Sequence, residues 1–140
     1  MKTKIILTLI FMITCAYLYF TFIRRNPNKI LKQQFDFQLN DFDYSVKSFS
    51  EQWDDNGDGY CKIIIQFNYF TTHNNNYLEK MKISPLPIFD KISSNEIPWK
   101  FLNSKTGYYL YNPTSIDKRS FKIFIIDIKS KEAIFYYQIE

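Results

Sequence analysis

The residues that come closest to chemistry in this chain lie between positions 54 and 61. Asp54-Asp55-Asn56-Gly57-Asp58-Gly59 sets side-chain oxygens at alternate positions, Asp54, Asn56 and Asp58, and ends on a glycine, as the first half of a calcium-binding loop does. A hard cation needs several oxygens converging from a bend, and this stretch has them. The second half of the pattern does not follow. The twelfth position, where a bidentate Glu closes such a loop, is Ile65, and a β-branched run stands where the second helix belongs. Asn-Gly and Asp-Gly are also the strongest short hairpin signals, because their residues take positive φ at low cost. The segment therefore reads first as a hairpin tip and second as a weak calcium site, with calcium the one cofactor that comes into question.

Other reactive groups are few. His73 is the single histidine, beside Thr71, Thr72 and Asn74 at an expected strand-to-helix junction, and a solvated loop histidine is its plainer reading. Cys61 follows the turn by two residues and reads as a small buried apolar side chain; a nucleophile would need a neighbouring cation to lower its pKa. Asp54, Asp55 and Asp58 would share a proton only if drawn together out of water. The sequence has no Gly-x-Ser-x-Gly elbow, phosphate-cradling glycine loop or His-Glu-x-x-His. No catalytic residue is assigned.

Strands are expected to position the turn. Phe35, Phe37 and Leu39 alternate, as do Tyr44, Val46 and then Phe49. The clearest strand is 60–70, with Ile63, Ile65, Phe67 and Tyr69 on one face. A short helix near 75–82 follows from the spacing of Tyr77, Leu78 and Met81. Pro85 and Pro87 argue for a loop up to Leu102, pinned by Trp99 and Phe101. Gly107 opens a strand that Asn112-Pro113 closes, and strands 120–128 and 133–139 form a hairpin through residues 129–132. Their consecutive apolar residues ask for cover on both faces, with the 75–82 helix as the available candidate. The fold class is α+β: an N-terminal transmembrane helix, then one small, mainly antiparallel sheet domain with a short covering helix.

The transmembrane expectation rests on residues 5–23 of the 140, a run without charge, Pro or Gly that as a helix measures roughly 28 Å, close to the hydrocarbon thickness of a bilayer. Lys2 and Lys4 precede it, Arg24 and Arg25 follow it, and Tyr17 and Tyr19 sit where rings favour the membrane interface. A buried core helix, a cleaved signal peptide and acylation at Cys15 are the rival readings. The run is apolar all round, continues well past a signal core, and has Thr14 where a lipid-attachment signal has a small residue. Those four basic residues have no acidic neighbour within the first 25; the remaining 14 of the 18 basic residues face all 14 acidic ones in 26–140. A body so balanced gives no footing for nucleic acid. The expected organisation is a tail at 1–4, the span at 5–23, a linker at 24–34 and the α+β domain at 35–140. Counting basic residues near the span keeps the body in the cytoplasm, whereas the short basic head is that of an exported anchor; the reading leans to export.

Trp53, the Asn56-Gly57-Asp58-Gly59-Tyr60 turn, Leu86-Pro87, Gly107-Tyr108-Tyr109 and Phe135-Tyr136-Tyr137 together resemble small bacterial membrane-anchored or exported proteins of unknown function. The resemblance spans residues 43–140 and implies export but no activity. Abundant Ile, Lys, Asn, Phe and Tyr beside two Ala point to an AT-rich bacterial genome. The function expected is that of a single-pass protein of the bacterial cytoplasmic membrane carrying an interaction domain for an unknown protein partner. The alternative is a small calcium-dependent or hydrolase-like enzyme at 54–59, which requires a concave pocket beside the turn.

Overall fold

The computed structural model describes residues 2–24, 26–38, 42–71, 77–79, 84–90, 92, 94–114, 116 and 119–140, the side chains of 2–4 and 21–24 excepted. The chain divides into two compact units, Met1–Phe37 and Gln38–Glu140.

In the first unit, helix α1 runs over Lys2–Arg24. Nothing within 5–23 breaks it, since the run lacks Pro and Gly, and Thr14 returns its hydroxyl to the Ile10 carbonyl at 2.8 Å. The described side chains from 5 to 20 are all exposed, Ile5 to 55% and Phe20 to 71%. Among the described residues no helix is long and apolar enough to cross a membrane.

The expected linker is instead a second helix, α2, over Pro27–Phe35. Asn26-Pro27 does end the first helix, but it also starts the next: the Asn26 carboxamide oxygen accepts from the Lys29 N–H at 3.4 Å, and Pro27 takes the first helical position, where its missing donor costs nothing. Asp36 then caps the C-terminus at φ 52°, and the Phe37 N–H closes on the Leu31 carbonyl at 3.2 Å. Phe35 and Phe37 are thus a helix end and a turn where a strand was expected; Leu39 lies outside the described residues.

The second unit is a six-stranded, fully antiparallel sheet of β1 Tyr44–Trp53, β2 Gly59–Phe67, β3 Ser84–Pro85, β4 Gly107–Pro113, β5 Phe121–Asp127 and β6 Glu132–Ile139. Their spatial order is β1-β2-β6-β5-β4-β3, so the last strand lies between β2 and β5. The α+β expectation holds for this unit, and its four main apolar strands fall where alternation and β-branching put them. A bulge between Val46 and Ser48 explains why the period-two pattern of β1 resumes at Phe49.

Both faces of the central strands are buried. On one face, Cys61, Ile63, Ile65 and Phe67 meet Ala133, Phe135, Phe124 and Ile126, none more than 1% exposed. Phe42 packs there against Phe67 at 5.4 Å and Tyr77 at 5.9 Å. Residues 77–79 are helical, with Leu78 fully buried; the rest of the expected 75–82 helix lies outside the described residues. Tyr69 falls beyond β2 and is exposed.

The other face carries Tyr109, Phe121, Ile123, Ile125, Ile134 and Tyr136, and its cover is the segment read as a loop: Leu86, Ile97 and Phe101 pack onto it. Helix α3, Trp99–Leu102, turns Phe101 inward to 1% exposure and Trp99 outward to 76%, so of the two aromatics expected to pin the segment only Phe101 does so. Pro85 is tolerated within β3 because that strand is the sheet edge, where a donor is dispensable.

At the start of β6, Glu132 is 6% exposed and its carboxylate meets Lys47 from β1 and Lys100 from α3, each at 2.5 Å. Burial alone raises this carboxyl, but the hydrogen bonds and charges of the two lysines outweigh it and hold the group below its usual range. A carboxyl depressed in the folded state contributes stability above its unfolded pKa and loses it as pH falls through the folded value. Urea unfolding should therefore show stability declining below about pH 5, and Glu132→Gln should flatten that decline while lowering stability at pH 7. An unchanged acid slope in the variant would remove Glu132 from the account.

Candidate functional site

The β1–β2 hairpin is closed by Asp54 N–H to the Asp58 carbonyl at 2.8 Å and Gly57 N–H to the Asp54 carbonyl at 3.0 Å, with Gly57 at φ +91°. The hairpin reading of 54–59 is the geometry found. Two of the three candidate calcium ligands come together, but on each other: the Asn56 amide donates to Asp58 Oδ2 at 2.9 Å and its oxygen accepts from the Asp58 N–H at 3.3 Å. Gly59, the sharp-turn position of the loop pattern, already belongs to β2, and Ile65 at the twelfth position is fully buried in the core. Among the described residues no group of three or more His, Cys, Asp or Glu is arranged to hold a metal ion. Cys61 is 1% exposed in the sheet core, and His73 lies outside the described residues.

Beside the turn the surface is concave. A cleft of about 590 Å³ takes Asp54 and Asp58 from the turn, and Gln52, Tyr60, Tyr136 and Gln138 from the ends of β1, β2 and β6. Ser94, Asn95 and Glu96 line it as well, together with Arg119 and Glu140. The pocket demanded by the second functional expectation therefore exists, in the volume range of small-molecule sites, although its lining is more polar than is usual for them.

Internal hydrogen bonds hold the walls. Tyr60 and Tyr136 stack with ring centroids 5.8 Å apart. The Ser94 hydroxyl donates to the Tyr136 oxygen at 3.2 Å, and Tyr136 donates to the Gln138 carboxamide oxygen at 2.7 Å. Lys62 donates to the Glu96 carbonyl at 3.1 Å and meets its carboxylate at 3.3 Å. Ser120 fastens the Glu140 backbone, donating to its carbonyl at 2.9 Å and accepting from its N–H at 2.8 Å, while the Gln138 amide donates to the Glu140 carboxylate. Burial, then the charge of Glu96, pushes the Tyr60 phenol up; burial likewise raises Tyr136 against the opposing Ser94 hydrogen bond. Both phenols stay protonated at neutral pH and act as donors, Tyr60 to Glu96 and Tyr136 to Gln138.

Sequence reasoning found Asp54, Asp58 and the turn but missed Tyr60, Glu96, Arg119 and Gln138 as members of one site. The only local signal was Gln138, a polar residue near the end of a mostly apolar strand. Of the expected membrane-interface residues, Tyr17 and Tyr19 are exposed on α1, Arg24 ends that helix, and Arg25 lies outside the described residues. No family model, curated protein or solved structure matches the chain.

Proposed function

We propose that the chain is a single-span protein of the bacterial cytoplasmic membrane, anchored through residues 5–23, whose second unit is a non-catalytic binding domain working through the cleft. The observation that carries this is the exposure of every described side chain from 5 to 20 on a helix with no polar face. Large contiguous apolar surfaces mark membrane or partner contacts, and one that encircles a helix suits lipid better than a single protein groove. Tyr17, Tyr19, Arg24 and Arg25 then serve as interface anchors. The resemblance to small bacterial membrane-anchored proteins supports the same reading, and export of the second unit follows from the short basic head.

The test is an alkaline phosphatase fusion behind Glu140, paired with a cytoplasm-only fluorescent fusion, in membranes washed with alkaline carbonate. The protein should stay in the washed membranes and the phosphatase should be active. Release by carbonate would overturn the anchor; fluorescence without phosphatase activity would overturn the orientation alone. Calcium-dependent chemistry at 54–59 is the second reading, favoured by the cleft opening beside Asp54 and Asp58. A melting temperature raised by millimolar calcium, and no longer raised in Asp58→Asn, would carry it.

A further inference from the structure

Resting on the reading of the cleft as a binding site, we infer that its ligand is a neutral polyhydroxylated chain, a glycan segment. The sheet register carries the inference. Gln52 on β1 is paired with Tyr60 on β2, and Tyr60 with Gln138 on β6, so a carboxamide, a phenol and a second carboxamide stand in one cross-strand row along the cleft. Neighbouring strands lie about 4.8 Å apart, a step comparable to the advance of one sugar ring along an extended glycan. Carboxamides both donate and accept, as every sugar hydroxyl does; the Tyr60 hydroxyl donates to Glu96 and so offers an oriented oxygen to a sugar hydroxyl.

The hydrogen bonds within the walls point the same way. Three of the carboxylates already have internal donors: Glu96 has Lys62, Asp58 has Asn56 and Glu140 has Gln138. Held in this way they are oriented acceptors for hydroxyl donors, and Asp54, the fourth carboxylate, and Arg119 share the lining with them. An apolar ligand would take water from these groups and give no hydrogen bond in return. A hydroxyl-rich neutral ligand satisfies them.

The experiment uses the full chain in detergent micelles, titrated calorimetrically with chitotetraose, cellotetraose and, as the cationic probe, tetralysine, at 50 and 500 mM NaCl. One of the tetrasaccharides should bind, with a Kd that changes less than about twofold between the two salt concentrations. Gln52→Ala, at an exposed position on an edge strand, and Gln138→Ala should each weaken binding about tenfold, the effect of one lost hydrogen bond in a formed site. Tetralysine binding that high salt abolishes would overturn the ligand class and leave the binding domain standing. Binding of none of the three would overturn both. Saccharide binding indifferent to both substitutions would overturn the assignment to the Gln52–Tyr60–Gln138 row.

Discussion

Phe135→Ala should lower the unfolding free energy of the second unit by about 3–5 kcal/mol, the range for emptying a large aromatic site in a core that cannot collapse around it. Phe135 is 1% exposed on β6, a strand with hydrogen-bonded neighbours on both sides, where it faces Ile63 on β2 and Phe124 on β5. The ring centroids of Phe124 and Phe135 are 5.6 Å apart and their planes are tilted by 39°, an aromatic contact that adds to area burial alone. A double-mutant cycle with Phe124→Ala should therefore return a coupling of about 0.5–1.5 kcal/mol. Urea unfolding followed by tryptophan fluorescence reads both, since Trp53 lies in the same sheet, 5.6 Å from the Tyr137 ring. A loss below about 1 kcal/mol for the single variant would mean that this face of the sheet is not closely packed.

Gly107→Ala should cost at least about 3 kcal/mol, and for a different reason. Gly107 opens β4 at φ +131°, and a Cβ built there would lie 1.9 Å from the Ile126 carbonyl oxygen. That oxygen is backbone in the neighbouring strand, so relief requires parting β4 from β5. The Gly107 carbonyl also accepts from the Leu86 N–H at 3.0 Å, which ties the covering segment to the sheet edge. The damage should spread to the Leu86, Ile97 and Phe101 cover. Gly57 is the internal control, because it too has positive φ but a Cβ there meets nothing within 4 Å. Gly57→Ala should cost only about 1 kcal/mol, the penalty of the left-handed backbone itself. Equal losses at the two positions, measured in the same denaturation series, would show that close strand approach is not what Gly107 serves.

The strands were legible because strand formation is largely a local matter of alternation and β-branching. The Cys61–Phe67 run, the Gly107-Tyr108-Tyr109 opening and the two apolar runs that close the chain each announce themselves within about ten residues. The Asn56-Gly57-Asp58-Gly59 turn was legible for the same reason, since positive φ is a property of single residues. Asn26-Pro27 was half legible. Its stop signal was read and its start signal was not, because an Asn N-cap followed by Pro can end one helix and begin the next. The inward turn of Phe101 and the outward turn of Trp99 had no sequence signal, as both suit a buried or an exposed position.

By itself, then, the sequence determined the longer strands β1, β2, β4, β5 and β6, the hairpin tip and the uninterrupted apolar helix of residues 5–20, all of which depend on neighbours within a turn or a strand. The tertiary structure alone decided that the last strand lies between β2 and β5. That placement brings Gln138 and Tyr136 beside Tyr60, and Glu132 between Lys47 and Lys100. Such contacts join residues up to 85 positions apart, and no local spacing encodes them. They follow from which apolar faces must be covered at once, a condition met only by the whole chain packed together.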